Sequence, residues 1–298
     1  MKKALIIVNP IAGKRTIQNK MFSIINMLCE NGFAPTVLTT LAKNDAAKYV
    51  IDYAGEYDIV ICCGGDGTLN ETITGMMNIS ERKPIGYIPC GSTNDMANTL
   101  CLSRQPIKAV ETIIRGIPTK HDIGKFGEDR FFTYIASFGI FTKSSYQTPQ
   151  SMKNVLGHFA YVLQGASEIG DIHTYRVRFT FDDNDIEDDF LFASISNTIS
   201  FAGLFSFPQS DVNLSDGKFE LLLIKKPKNI IEFNKLITSI TKGNYDHNDN
   251  LMLFHTDHII VEPKENLVWT VDGECSGELG RVVVDNVPDT IYIMQNAK

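Results

Sequence analysis

Apolar and polar positions change rhythm at about residue 121. Up to there, short apolar runs alternate with stretches whose apolar positions recur at helical spacing. Leu5–Val8 is such a run, and Ile17–Cys29 then carries apolar residues at 17, 21, 24, 25 and 28 before Asn31-Gly32 ends it. Strands are expected at Thr36–Thr39, Ile59–Cys63 and Pro84–Ile88. Helices are expected at Asp45–Ala54 with Asn44 as its cap, Glu71–Met77, Asn94–Leu100 and Ile107–Arg115. That β-α-β-α order predicts a parallel sheet with helices on both faces.

Beyond that point, short strand-like runs dominate: Phe131–Ser137, Tyr175–Phe181, Phe190–Ser196, Phe219–Ile224, His258–Val261, Val268–Val271, Val282–Val284 and Thr290–Met294. Two helical stretches interrupt them, Val155–Ile169 and Ile230–Thr241. Many strands with few crossover helices predict a mainly antiparallel, β-rich second domain. The expected boundaries are therefore 1–121 and 122–298, with the last ten or so residues returning to the first domain.

The chain has 298 residues, 43% apolar and 21% charged, which suits a soluble globular protein of one large domain or two ordinary ones. A net charge of −7 argues against nucleic acid as a partner. Six of the acids crowd into Phe181–Asp189, read as a solvated hairpin loop, so the remaining surface is nearly neutral. The six cysteines lack metal-ligand spacing and read as buried, reduced thiols of a cytoplasmic protein. No stretch approaches the ~18 apolar residues of a membrane span.

Polar, glycine-rich segments follow two of the strands, where ligands bind in parallel sheets. One is Asn9-Pro10-Ile11-Ala12-Gly13-Lys14. The other is Gly64-Gly65-Asp66-Gly67-Thr68-Leu69-Asn70-Glu71. Glycines with positive φ would let successive N–H groups form an anion nest, and a helix starting near Thr68 would add its positive end. Phosphate binding is expected over a mere strand-to-helix turn. Neither the Walker spacing nor the dinucleotide fingerprint is present, because Asn70 stands where a third glycine would be.

The same residues resemble the G-G-D-G-T-x-N-E signature of the diacylglycerol kinase catalytic domain and its bacterial lipid-kinase relatives. Pro89-Cys90-Gly91-Ser92-Thr93-Asn94-Asp95-Met96-Ala97-Asn98 is similar to that family's P-x-G-T-x-N-D-F-A-R, with Ser92 for threonine, Met96 for phenylalanine and Asn98 for arginine. Asn9–Gly13 resembles its N-P-x-S-G, and Leu156–Tyr161 its L-G-x-x-A-Y. The resemblance implies a Rossmann-like nucleotide-binding first domain of the NAD-kinase and diacylglycerol-kinase type. It implies ATP held by Asn9, Thr40, Gly64, Gly65, Asp66, Gly67, Thr68, Leu69, Asn70, Glu71 and Ser92. Thr40 enters because it precedes the Asp45-Ala46 pair by five residues; the alternative for it is an ordinary strand end. Asp66 and Asn70 would orient the triphosphate with its metal and waters.

Two acidic segments of the second domain complete the expectation. Asp216-Gly217 reads by itself as a turn before a strand. The resemblance makes it a structural Mg²⁺ site, held by the Asp216 side chain and the Asn213 and Lys218 carbonyls. Asp272-Gly273-Glu274 follows an apolar run. In an extended chain Asp272 and Glu274 would share a face, and a close like-charged pair suits a general base; the alternative is an Asp-Gly hairpin turn. The resemblance makes one of the two the proton acceptor, and Asp66 remains a third catalytic candidate. Phe201–Phe207 reads as core; the alternative is that it lines a lipid-chain pocket or touches the bilayer. The expectation is a cytoplasmic ATP:lipid kinase that meets the membrane peripherally and converts diacylglycerol to phosphatidic acid; a homodimer is left open. The rivals are an NAD kinase, in which the Asn-Glu pair lies well downstream, and a catalytically idle nucleotide- or lipid-binding regulator.

Overall fold

The structure is a computed structural model that describes residues 1–13, 17–140, 173–198, 200–201, 205–206, 214–245 and 248–297. The expected helix Val155–Ile169 and the Leu156–Tyr161 motif lie outside the described residues, as do Asn213, Lys14 and most of the Phe201–Phe207 segment. The chain forms two compact units. Unit 1 is Met1–Ile123 with Pro288–Lys298, and unit 2 is Gly124–Val287.

In unit 1, β1 (Lys2–Val8), β2 (Phe33–Thr39), β3 (Ile59–Gly64) and β4 (Ile85–Pro89) form a parallel sheet. Its order is β2-β1-β3-β4, with Ile6 opposite both Val37 and Ile61. All six residues of β3 are buried, the mark of a central strand covered on both faces. The helices are α1 (Met21–Glu30), α2 (Asp45–Tyr53), α3 (Asp66–Met77), α4 (Asp95–Thr99) and α5 (Pro106–Arg115). Ile24 and Leu28 of α1 and Ala109, Val110 and Ile113 of α5 pack on Ile6, Ile61 and Ile88.

Two boundaries in this unit differ from expectation. α3 begins at Asp66, not Glu71, because its buried stripe starts at Thr68 and Leu69 and continues through Thr72, Ile73 and Met76. Asn44 gives α2 no side-chain cap; it takes a left-handed conformation with φ 69°. The Asp45 carboxylate instead accepts the Leu41 and Ala42 amides, both at 2.8 Å, and these bonds hold its pKa below the usual value.

Unit 2 is antiparallel. β5 (Ile117–Phe126) enters it from unit 1 and pairs with β6 (Arg130–Phe132). Next come β7 (Ile135–Gly139), β8 (Tyr175–Phe181), β9 (Asn184–Ser196) and the two-residue ladder of β10 (Ser200–Phe201) with β11 (Phe205–Ser206). Then follow β12 (Phe219–Lys225), α6 (Ile230–Lys242), β13 (Leu251–Thr256) and β14 (His258–Pro263). β15 (Leu267–Val271), β16 (Glu274–Leu279) and β17 (Val282–Gln295) close the unit, and β17 runs on into unit 1. Phe126 and Phe138 meet Trp269 edge-on at 5.0 and 5.1 Å in the centre of its core.

The acidic run is not a loop. Only Asp182 and Asp183 turn, and Asp182 has φ 45°; from Asn184 the chain is strand β9. Its acids face cations: Arg178 pairs Asp185, Arg176 Nε donates to Glu187 at 3.0 Å, and Lys225 Nζ meets Asp188 at 2.7 Å. The two predicted runs Val282–Val284 and Thr290–Met294 are one strand, β17. Among the cysteines only Cys62 and Cys63 are buried; Cys29, Cys101 and Cys275 are exposed and Cys90 is half-buried, all unpaired.

Candidate active site

The two glycine motifs meet at the carboxyl ends of β3 and β4, adjacent parallel strands that place Gly64 opposite Pro89. The Gly64 carbonyl accepts the Cys90 amide at 2.7 Å. A Cβ built on Gly91 would lie 2.6 Å from Gly65 Cα, so the two backbones are in van der Waals contact only because both residues lack side chains. This close approach is what the glycines accomplish. The expected nest does not form: neither Gly64, Gly65 nor Gly91 is left-handed, and Gly65 is extended at φ −90°, ψ −172°. Gly13 is the left-handed one, at φ 51°, and its Cα side abuts the Cys90 carbonyl, 2.3 Å from an added Cβ. All three polar loops therefore converge.

Asn9 begins this cluster. Its amide donates to Cys63 O at 2.9 Å, its Oδ1 accepts the Ile11 amide, and its Nδ2 donates to Thr68 Oγ1, both at 3.1 Å. Gly65 precedes α3 and gives that helix no side-chain cap. Gly67 is exposed, Thr68 and Leu69 are buried, and Asn70 and Glu71 are half-buried. Glu71 Oε2 accepts the Ala46 amide at 3.3 Å, at the start of α2. Thr40 sits at the end of β2, bonded through its amide to Val8 O at 2.9 Å. Ser92 is exposed at the tip of the second motif.

Asp66 does something the sequence did not show. Its Oδ2 accepts Thr93 Oγ1 at 3.2 Å and the Asp95 amide at 3.1 Å, while Oδ1 accepts the Met96 amide at 3.1 Å. One carboxylate thus caps α4 from about thirty residues away and ties the first motif to the second. Asn94, at φ 51°, closes the same loop: Gly91 N donates to its Oδ1 at 2.8 Å and its Nδ2 returns to Gly91 O at 2.9 Å. Burial, and then the charge of Asp66, push the Asp95 carboxyl up to about 6, against the pull of Arg104. Burial likewise raises Cys62 to about 12 and Cys90 to about 11, which keeps these thiols protonated and non-nucleophilic.

Unit 2 carries the other candidates. Val271 pairs with Glu274, and Asp272 and Gly273 between them both have positive φ, 47° and 81°, the signature of a type I′ hairpin turn. Asp272 and Glu274 are therefore not residues i and i+2 of one extended strand. Asp272 is buried. Its Oδ2 accepts the Thr133 amide at 2.7 Å and hydroxyl at 2.8 Å, and its Oδ1 accepts the Tyr134 and Ile135 amides at 3.1 Å. Burial pushes this carboxyl up, and those four bonds pull it back. Glu274 is half-exposed, with its Oε2 4.0 Å from Arg130 Nη2.

The Asp216 turn is exposed, and Oδ1 accepts the Lys218 amide at 3.0 Å. One carboxylate beside backbone carbonyls suits a Mg²⁺ ion that keeps most of its waters. No group of three or more His, Cys, Asp or Glu side chains with metal-binding placement occurs among the described residues. None of their helices is long and apolar enough to cross a membrane. Glu220 is a buried acid that sequence reasoning overlooked. Its Oε2 has no hydrogen-bond partner among the described residues, and burial raises the carboxyl to about 8. It sits in an apolar strand, where one acid gives no periodic signal.

Sequence and structure comparisons agree across the chain. Residues 3–126 match the diacylglycerol kinase catalytic domain, and residues 136–295 match the YegS C-terminal NAD kinase beta sandwich-like domain. A diacylglycerol kinase of Bacillus subtilis (strain 168) is 30% identical over 281 residues, 94% of this chain and 92% of that one. One from Staphylococcus epidermidis (strain ATCC 12228) is 32% identical over 93% of this chain and 87% of its own. Two crystal structures of Bacillus anthracis str. Sterne proteins share the fold over 99% of this chain. One has a TM-score of 0.82 at 24% identity and covers 95% of that chain. The other, of a diacylglycerol kinase, has 0.76 at 22% and covers 97%.

Proposed function

The chain belongs to the diacylglycerol kinase family, a family of lipid kinases, and from that premise we propose that it transfers the γ-phosphoryl group of MgATP to the hydroxyl of diacylglycerol, giving phosphatidic acid. The observation that carries the reading is the convergence of the two glycine motifs under Asp66, beside an α3 whose N-cap, Gly65, supplies no side-chain cap. Phosphoryl transfer asks the protein chiefly for positioning and charge stabilisation. The α3 amides would receive the phosphates, and Asn9, Thr68 and Gly65 would shape the floor beneath them. Asp66 keeps the second motif, with Ser92 at its tip, against the first.

The base is Glu274 in this reading. In the reaction the lipid oxygen forms the new bond to phosphorus, the bond from phosphorus to the ADP oxygen breaks, and the hydroxyl proton passes to the Glu274 carboxylate. Asp272 is a positioning residue: its carboxylate is engaged by three backbone amides and a hydroxyl, and it fixes the hairpin from which Glu274 projects. A Mg²⁺ ion at Asp216, with the Lys218 and Asn213 carbonyls, would brace the turn before β12 by offsetting the Asp216 charge.

Without a membrane-spanning helix among the described residues, the enzyme would meet its lipid peripherally. The test offers radiolabelled ATP with diacylglycerol micelles, with other lipid alcohols, and with NAD. Label in phosphatidic acid is the expected result. Label entering NADP alone would identify an NAD kinase, and ATP binding with no labelled lipid would identify an idle regulator; either refutes the reading.

A further inference from the structure

Asn98 stands where the resembling motif P-x-G-T-x-N-D-F-A-R ends in arginine, so this loop is one cation short. The structure brings a cation there from outside the motif. Arg104 follows α4 and folds back over it. Its Nε and Nη2 donate to Asn98 Oδ1 at 3.2 and 3.0 Å, and Nη2 also donates to Thr93 O at 2.5 Å. Thr93 in turn bonds Asp66 through its hydroxyl. The guanidinium is thus anchored on the loop whose Gly91 abuts Gly65.

Three of its five N–H donors are used by those bonds. The two on Nη1 have no partner among the described residues, and the side chain is exposed. The local charge makes a cation necessary for an anionic ligand: Asp66 and Asp95 belong to this loop junction, Glu71 lies one turn along α3, and a triphosphate would add several negative charges more. The influence of Arg104 already reaches Asp95, where it opposes burial and Asp66. A forked guanidinium held by two acceptors on one side is preorganised to receive phosphate oxygens on the other.

We propose that Arg104 is a phosphate-binding residue of the nucleotide site, supplying the positive charge that position 98 lacks. The inference rests on the ATP reading above. It is tested with Arg104→Gln, whose amide can keep the bond to Thr93 O without the charge, and with the double variant Asn98→Arg/Arg104→Gln, which returns a cation to the loop from the motif position. Calorimetry measures MgATP affinity, and an NMR titration measures adenosine, which has no phosphate.

The expected result is a ~10–100-fold loss of MgATP affinity in Arg104→Gln, the usual scale for a charged hydrogen-bonding group. Adenosine binding stays unchanged, and MgATP affinity recovers at least partly in the double variant. MgATP affinity within twofold of the unaltered protein would overturn the proposal. So would parallel losses for MgATP and adenosine, which would make Arg104 only a strut of the loop. If the unaltered protein binds no MgATP, the nucleotide reading falls and takes this proposal with it; a loss confined to the variant leaves that reading standing.

Discussion

The contact between Gly91 and Gly65 can be broken with a single methyl group. In Gly91→Ala the new Cβ would lie 2.6 Å from Gly65 Cα and 2.8 Å from Asn94 Oδ1. Carbon atoms pack at about 3.5–4.0 Å, so the two motifs must part by about 1 Å. Overpacking of this kind costs about 1–3 kcal/mol. Each of the two Asn94–Gly91 hydrogen bonds that breaks adds about 1 kcal/mol, because Asn94 is buried and would be left unsatisfied. At roughly 3 °C per kcal/mol, unit 1 should melt lower by about 3–15 °C. The functional loss should be larger in proportion, since a ~1 Å misplacement of a positioning group costs on the order of 100-fold in rate. Differential scanning fluorimetry and kcat/KM for MgATP with diacylglycerol micelles measure the two effects. Gly65→Ala should be milder, because its Cβ would meet Gly91 Cα at 3.1 Å. Gly55→Ala, with nothing within 4 Å of its Cβ, serves as the control. A Gly91→Ala protein with unaltered kcat/KM would refute the claim that phosphate is handled where the motifs touch.

Two more outcomes follow from the carboxylates of unit 2. Glu274→Gln should lower turnover by about 100–10,000-fold, the range of general-base contributions, with MgATP affinity kept; Asp272→Asn should lose melting temperature as well, and a Glu274→Gln enzyme of normal turnover would exclude that residue as the base. Glu220, raised to about 8 when folded against an ordinary 4.5, holds a proton in the folded state that the unfolded chain releases, so stability falls as pH rises between those values and levels off above 8. Glu220→Gln, unfolded by urea with metal chelated, should therefore gain on the unaltered protein by on the order of 3–5 kcal/mol between pH 5 and pH 9, and a difference that does not change with pH would contradict the buried-acid account.

How much of this was legible in the sequence depends on how local each feature is. The parallel sheet could be read because β1 and β3 are near-continuous apolar runs, which suffices for strands buried on both faces. β9 was misread because its first six residues are mostly acidic, and what makes them a strand is the Arg176 and Arg178 ladder on β8. β16, with few apolar residues, forms because a type I′ turn folds it onto β15. The site divides along the same line. Spacing identified the residues that gather at the ends of β3 and β4, since a motif is local. It could not show which carboxylates are already engaged. Asp66 turns to cap a helix about thirty residues on, Asp272 turns to bind amides across the fold, and Arg104 returns to a motif it follows. Each of these contacts removes a charge from the pool that could serve catalysis, or adds one. That is why Glu274 is the proton acceptor in this reading: the Asp272 carboxylate is buried with its oxygens already accepting three amides and a hydroxyl, whereas that of Glu274 is half-exposed at the start of a strand.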